Sequence, residues 1–167
     1  DKISYKLGDL MVFGPLRNNM GFSRVRVAYT AGEAIGPDLF SFFRSIGLNL
    51  KQLYGSTEPA VFVRIQPDNQ VFADTVGNPI RGVEIKMAEN GEILVKSPGL
   101  LKEYYKNPKA TAEVLSEDGW YHTSDAGFMD KSGQLKIIDR VQDVGRLKGG
   151  SHDGAMLAPK DVENQLT

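Results

Sequence analysis

Five consecutive residues, Tyr54-Gly55-Ser56-Thr57-Glu58, bring together a ring, a glycine, two hydroxyls and a carboxylate. That set suits a nucleotide. Tyr54 offers a ring face for stacking, and Gly55 lets the backbone approach a flat base or a phosphate. Ser56 and Thr57 carry hydroxyls, and that of Thr57 can meet a phosphate oxygen. Glu58 supplies a hard oxygen for magnesium, which usually takes one or two carboxylates beside phosphates. Farther along, Gly119-Trp120-Tyr121-His122-Thr123-Ser124-Asp125-Ala126-Gly127 sets Asp125 in a turn after an aromatic pair. A carboxylate there can accept hydrogen bonds from both hydroxyls of a ribose. Ile137-Ile138-Asp139-Arg140 then ends an apolar run on a guanidinium, whose fork suits ribose or phosphate.

Each group also has a plainer reading. Gly55 makes a turn, with Tyr54 half-buried and Glu58 capping or solvating the loop. Asp125 bonds its own backbone, and Arg140 forms an exposed salt bridge with Asp139 or Asp143. His122 reads as a satisfied polar residue beside Trp120. Phe40, Phe42 and Phe43 read as helix core, and Lys148 and Lys160 as solvated surface.

Composition narrows the function classes. With 20 basic and 21 acidic side chains the formal net charge is -1, so no field of one sign draws in nucleic acid. The absence of cysteine removes disulfides, thiolate zinc sites and a cysteine nucleophile. It fits a reducing compartment, and a cytoplasmic location is expected. His122 and His152 lack the spacing of a histidine metal site. No apolar run approaches the ~20 residues that span a bilayer.

The elements that must position these groups fall into two styles. Residues 6–20 suggest a helix interrupted at Gly14-Pro15. A strand over 25–29 leads into Ala31-Gly32-Glu33. A helix from Pro37 to Gly47 and a strand over 50–54 complete a βαβ unit, which favours parallel strands. Ligands of such sheets lie at the carboxyl ends of the strands, where Gly32, Glu33 and the Tyr54 corner both fall. After Glu58, short strands over 61–65, 83–87, 92–97 and 135–139 alternate with turns, with a helix over 108–115. This half is expected to be antiparallel and to close into a small β-barrel. The expected fold class is therefore α/β passing into α+β. The expected divisions are 1–75 for the end of a large α/β subdomain, 76–138 for the barrel-like subdomain, and 139–167 for a hinge and the start of a lid.

With these blocks in this order, the chain resembles the adenylate-forming superfamily, and within it looks most like a bacterial long-chain fatty-acyl-CoA synthetase. The likeness runs nearly end to end. Ala28-Tyr29-Thr30-Ala31-Gly32-Glu33-Ala34 resembles the family's strand-end glycine motif, and Tyr54-Gly55-Ser56-Thr57-Glu58 matches its Tyr-Gly-x-Thr-Glu motif in full. Gly91-Glu92-Ile93-Leu94-Val95 and Tyr104-Tyr105-Lys106-Asn107-Pro108-Lys109-Ala110-Thr111 resemble the segment before the aspartate motif. Trp120–Gly127 is similar to Trp-x-x-Thr-Gly-Asp-x-Gly, with Ser124 in the place of the usual glycine. Ile138-Asp139-Arg140-Val141-Gln142-Asp143 resembles the hinge motif.

The resemblance implies ATP, Mg2+ and coenzyme A, with a fatty acid as substrate and an acyl-adenylate as intermediate. It implies that Gly32 and Glu33 line the adenine and acyl-side wall, that Tyr54 stacks on adenine, and that Thr57 contacts the α-phosphate. Glu58 would hold magnesium, Asp125 the ribose hydroxyls with Arg140 helping, and Ile137 would pack near the nucleoside. Gln142 falls where the family carries its hinge pivot. The family's glycine-rich phosphate loop would lie upstream of Asp1, and its lid lysine beyond Thr167. The chain is thus expected to be an internal piece, inactive alone and prone to self-association through exposed edges. Peripheral membrane association of the parent stays open. The alternatives are an enzyme loading a carrier protein and a non-catalytic interaction module.

Overall fold

The structure, a computed structural model, describes residues 2–146 and 156–157. It opens on α1 (Lys2–Gly8), a π-helical turn (Asp9–Phe13) and α2 (Gly14–Asn19). Pro15 has no N–H to donate and its ring crowds the turn before it, so an α ladder cannot pass it unchanged. The π turn carries the chain through. The Gly14 N–H reaches back to the Asp9 carbonyl, and a Cβ on Gly14 would stand 2.7 Å from that oxygen. The interruption expected at Gly14-Pro15 is a widened turn inside one helical run.

The βαβ unit consists of β1 (Ala28–Thr30), α3 (Pro37–Ser45) and β2 (Leu50–Tyr54). β1 and β2 pair in parallel, with Ala28 beside Leu50 and Thr30 beside Gln52. Pro37 stands in the first turn of α3, where its missing N–H costs nothing. The helix packs Phe40 onto Leu48 and Leu50, with Phe22 and Phe43 at the margin. β3 (Arg64–Ile65) and β4 (Asn78–Pro79) then join antiparallel, giving a mixed sheet in the order β1-β2-β3-β4. The parallel layer therefore holds only two strands.

The second sheet is an antiparallel meander of β5 (Glu84–Met87), β6 (Glu92–Lys96), β7 (Tyr121–Met129) and β8 (Leu135–Arg140). α4 (Pro108–Val114) lies between β6 and β7, and the Asn107 side chain accepts the Ala110 N–H at its start. The barrel that the strand spacing predicts does not form. Among the described residues β5 and β8 are open edges, each paired to one neighbour only. Four short strands cannot curl far enough to close around a filled interior. Their apolar face is covered instead from outside: Ile93, Val95, Tyr121 and Leu135 pack with Val63, Val76 and Val83.

A buried polar seam joins the two sheets. The Gln66 amide donates to the Thr75 carbonyl at 2.7 Å and accepts from the Gln52 N–H at 2.8 Å. The Thr75 hydroxyl donates to Gln134 Oε1 at 2.5 Å, and the Val76 N–H to the Leu135 carbonyl at 2.9 Å. Buried polar groups hold their place only when so satisfied. β9 (Gly145–Arg146) and β10 (Met156–Leu157) form a separate antiparallel pair. His152, Lys148, Lys160 and the start of a lid helix lie outside the described residues.

Candidate functional site

Tyr54 closes β2, and its hydroxyl donates to Asp125 Oδ2 at 2.7 Å across 71 positions of sequence. Asp125 on β7 faces Arg140 on β8 in the ladder. Arg140 Nη1 sits 2.8 Å from Asp125 Oδ1 and also donates to the Thr123 carbonyl at 3.3 Å. Both carboxylate oxygens are thus addressed, one by a phenol and one by a guanidinium. The carboxylate is the inner member, 19% exposed against 58% for the arginine side chain. Burial, and then the charge of Asp125, push the Tyr54 phenol far above its ordinary value, so it stays a donor across the physiological range.

The loop after Tyr54 is built by close backbone approach. A Cβ on Gly55 would lie 1.6 Å from the Val61 carbonyl oxygen. The Val61 N–H returns to the Ser56 carbonyl and the Val63 N–H to the Tyr54 carbonyl. Ala60 and Val61 take φ of 60° and 73°. A β-branched residue in that region is strained, and such strain collects at binding loops. Glycine is required at 55 by the Val61 carbonyl of the chain itself, whatever lies against the loop.

Glu58 follows in the same loop. Its Oε1 accepts the Tyr104 hydroxyl at 2.8 Å, and its carbonyl accepts the Leu101 N–H at 2.7 Å. Partial burial works to raise its carboxyl. The Tyr104 hydroxyl, and then a backbone N–H, outweigh that and hold it below the ordinary value. No group of three or more His, Cys, Asp or Glu is gathered for a metal among the described residues. A single ionised hard oxygen is nonetheless the donor set that fits Mg2+ held largely by substrate phosphates and water.

Asp125 was expected in a turn. It lies in β7, the longest strand among the described residues, at a bulge. Glu92 pairs with Ala126 while Leu94 pairs with His122, so extra residues of β7 bow out opposite Ile93. The Thr123 hydroxyl donates to the Ile93 carbonyl at 2.7 Å and accepts the Asp125 N–H at 3.1 Å. Ser124 takes a φ of 60°, the conformation glycine adopts freely.

The remaining expected residues are more scattered. Gly32, at φ +89°, and the exposed Glu33 follow the end of β1, next to the strand that ends in Tyr54. Ser56 is half-buried and Thr57 exposed. Ile137 packs against the core of the second sheet. Gln142, in the 3-10 turn Val141–Asp143, joins Glu92, Ser124, Arg140 and Val141 around a cleft of about 410 Å³. The sequence reading missed Glu92 and Tyr104. Glu92 stands out in retrospect as one carboxylate leading an apolar strand. Tyr104 opens a segment that resembles the family, but nothing local points its hydroxyl at Glu58.

Residues 7–105, more than half of the chain, match the family described as AMP-binding enzyme, and the chain belongs to that family. It is similar to the long-chain-fatty-acid–CoA ligase FadD15 of Mycobacterium bovis, 34% identical over 158 residues that make up 95% of this chain and 25% of that one. It is also similar to the peroxisomal long chain acyl-CoA synthetase 7 of Arabidopsis thaliana, 32% identical over 95% of this chain and 24% of the relative. Among solved structures it superposes on O-succinylbenzoate coenzyme A synthetase from Bacillus subtilis in complex with ATP and magnesium ion. The TM-score is 0.68 at 27% identity, covering 84% of this chain and 31% of the other. The chain spans about a quarter of the length of the curated relatives it matches.

Proposed function

We propose that the chain is part of an AMP-forming acid–CoA ligase, and that its substrate is a long-chain fatty acid. The closure of Tyr54, Asp125 and Arg140 into one cluster, with Glu58 four residues past Tyr54, carries this reading. The named fatty-acid ligases among its relatives support the substrate class.

In the first step the acid's carboxylate oxygen attacks the α-phosphorus of ATP, and pyrophosphate leaves. Asp125 accepts hydrogen bonds from the ribose hydroxyls, held in place by the Tyr54 phenol and the Arg140 guanidinium. The Tyr54 ring flanks adenine beside Gly32, Glu33 and Gly55. Ser56 lies beside Glu58, and Thr57, exposed at the loop tip, donates to an α-phosphate oxygen. Ile137 supports the nucleoside from the core side. Glu58 is the residue that would hold Mg2+, which, when bound, neutralises charge on the phosphates. In the second step the sulfur of coenzyme A attacks the acyl carbonyl, the thiol proton is released and AMP leaves. Gln142 is the pivot between the two steps. Such displacement is mainly positioning and charge neutralisation.

The full-length protein that carries this chain should exchange ATP and pyrophosphate when given long-chain fatty acids, and less with short-chain or aryl acids. An aryl acid as the best substrate would overturn the fatty-acid assignment. Exchange with no acid at all would remove the ligase reading. The isolated chain should not exchange.

A further inference from the structure

Glu92 is 9% exposed, a carboxylate at the head of β6 with no Lys or Arg bonded to it among the described residues. Its two oxygens are nonetheless both used. Oε1 accepts the Ser124 N–H at 2.9 Å, and Oε2 lies 3.0 Å from His122 Nδ1. Both partners flank Thr123, the residue whose hydroxyl fills the bulge. Ser124 holds its left-handed φ of 60° between them. An L residue other than glycine resists that conformation, because its Cβ crowds the following carbonyl. A Ser124 that relaxed would swing the next residue, and that residue is Asp125.

We infer that Glu92 is a positioning residue for the ribose site, acting through Ser124: its buried carboxylate ties the Ser124 amide and the His122 ring together and so holds Asp125 in reach of the ribose hydroxyls. The inference rests on the reading that Asp125 binds ribose. A carboxylate bonded to a backbone N–H is among the stronger hydrogen bonds, because one member is charged. Glu92 supplies by side chain what glycine at 124 would supply by conformational freedom. His122 is then a strut on the far oxygen, not an acid or base toward substrate.

The coupling gives the test. AMP and 2′,3′-dideoxy-AMP are titrated calorimetrically into the full-length protein and into Glu92→Ala, Glu92→Gln, Ser124→Gly, Asp125→Ala and the double variant Glu92→Ala/Ser124→Gly. Glu92→Ala should weaken AMP about tenfold, the loss of one charge-assisted bond, and leave the dideoxy analogue nearly unaffected. Glu92→Gln, which keeps an acceptor for the Ser124 N–H, should recover most of the affinity. In the Ser124→Gly background the same Glu92→Ala change should cost only about twofold, well under the uncoupled sum. Equal losses in the serine and glycine backgrounds would overturn the inference, as would equal losses for AMP and the dideoxy analogue. Should Asp125→Ala leave the preference for AMP over the analogue intact, the ribose reading itself fails and takes the inference with it. A Glu92→Ala protein that is unfolded by near-UV dichroism, and is not refolded by Ser124→Gly, also counts against it, since the role would then be general support of the sheet.

Discussion

The Tyr54 corner and the Asp125 bulge deliver polar groups to the same place by opposite means. At the corner the backbone does the shaping. Gly55 admits the Val61 carbonyl, two residues with positive φ close the loop, and Thr57 is left exposed while Glu58 turns to the Tyr104 hydroxyl. At the bulge the strand continues on either side and side chains do the shaping. The Thr123 hydroxyl and the Glu92 carboxylate replace the ladder bonds that the bulge gives up. A backbone-built loop should therefore fail abruptly when volume is added. A side-chain-built bulge should fail in steps, as each bond is removed.

The largest effect expected is at the corner. Gly55→Ala puts a methyl into the Val61 carbonyl and forces the loop open, at a cost of about 3 kcal/mol or more. Urea melts of the full-length protein should show it, and a loss below about 1 kcal/mol would mean the loop is far softer than its geometry indicates. At the bulge, Asp125→Ala removes the acceptor common to Tyr54 and Arg140 without adding volume. Stability should fall by about 1 kcal/mol, because the half-buried Tyr54 phenol loses its acceptor, while AMP affinity falls by about 10–100-fold. Calorimetry separates the two.

Thr123→Val is nearly equal in volume but leaves the Ile93 carbonyl and the Asp125 N–H without their partner. The expected destabilisation is about 1–3 kcal/mol by urea melt, smaller than that of Gly55→Ala. Reversal of that order would sink the distinction between the two regions.

The smallest effect should come from Tyr104→Phe. Glu58 is held below its ordinary value, so its ionised form favours the native state above the unfolded-state value. That contribution is lost as pH falls through the depressed native value. Without the Tyr104 hydroxyl the native value rises, and the loss begins at higher pH. The acid limb of Mg2+-dependent exchange should move upward in pH and the Mg2+ requirement should rise. An unmoved limb would show that the phenol does not tune Glu58.

Much of the frame was legible in the sequence, but unevenly. α3 and β2 appear where Pro37, the apolar spacing and Gly47 place them, because local punctuation and periodicity agree there. β7 did not announce itself. Its His122-Thr123-Ser124-Asp125-Ala126-Gly127 run lacks alternation and strand-forming residues, and only pairing with β6 and β8 makes it a strand. The barrel failed for a related reason. Spacing of strands and turns specifies a meander, while closure depends on strand number and on what else covers the apolar face.

Residue types alone determined the family of this chain and the chemical vocabulary of its candidate site: a phenol, a hard carboxylate, a second carboxylate and a guanidinium, each on a recognisable motif. Which of them touch was decided by the fold. Tyr54 and Asp125 meet across 71 positions, and Tyr104 reaches Glu58 across 46. Such contacts depend on how sheets stack and where a strand bulges. Those outcomes arise from burying a shared apolar core while satisfying every buried polar group, and no short window of sequence contains both sides of that balance.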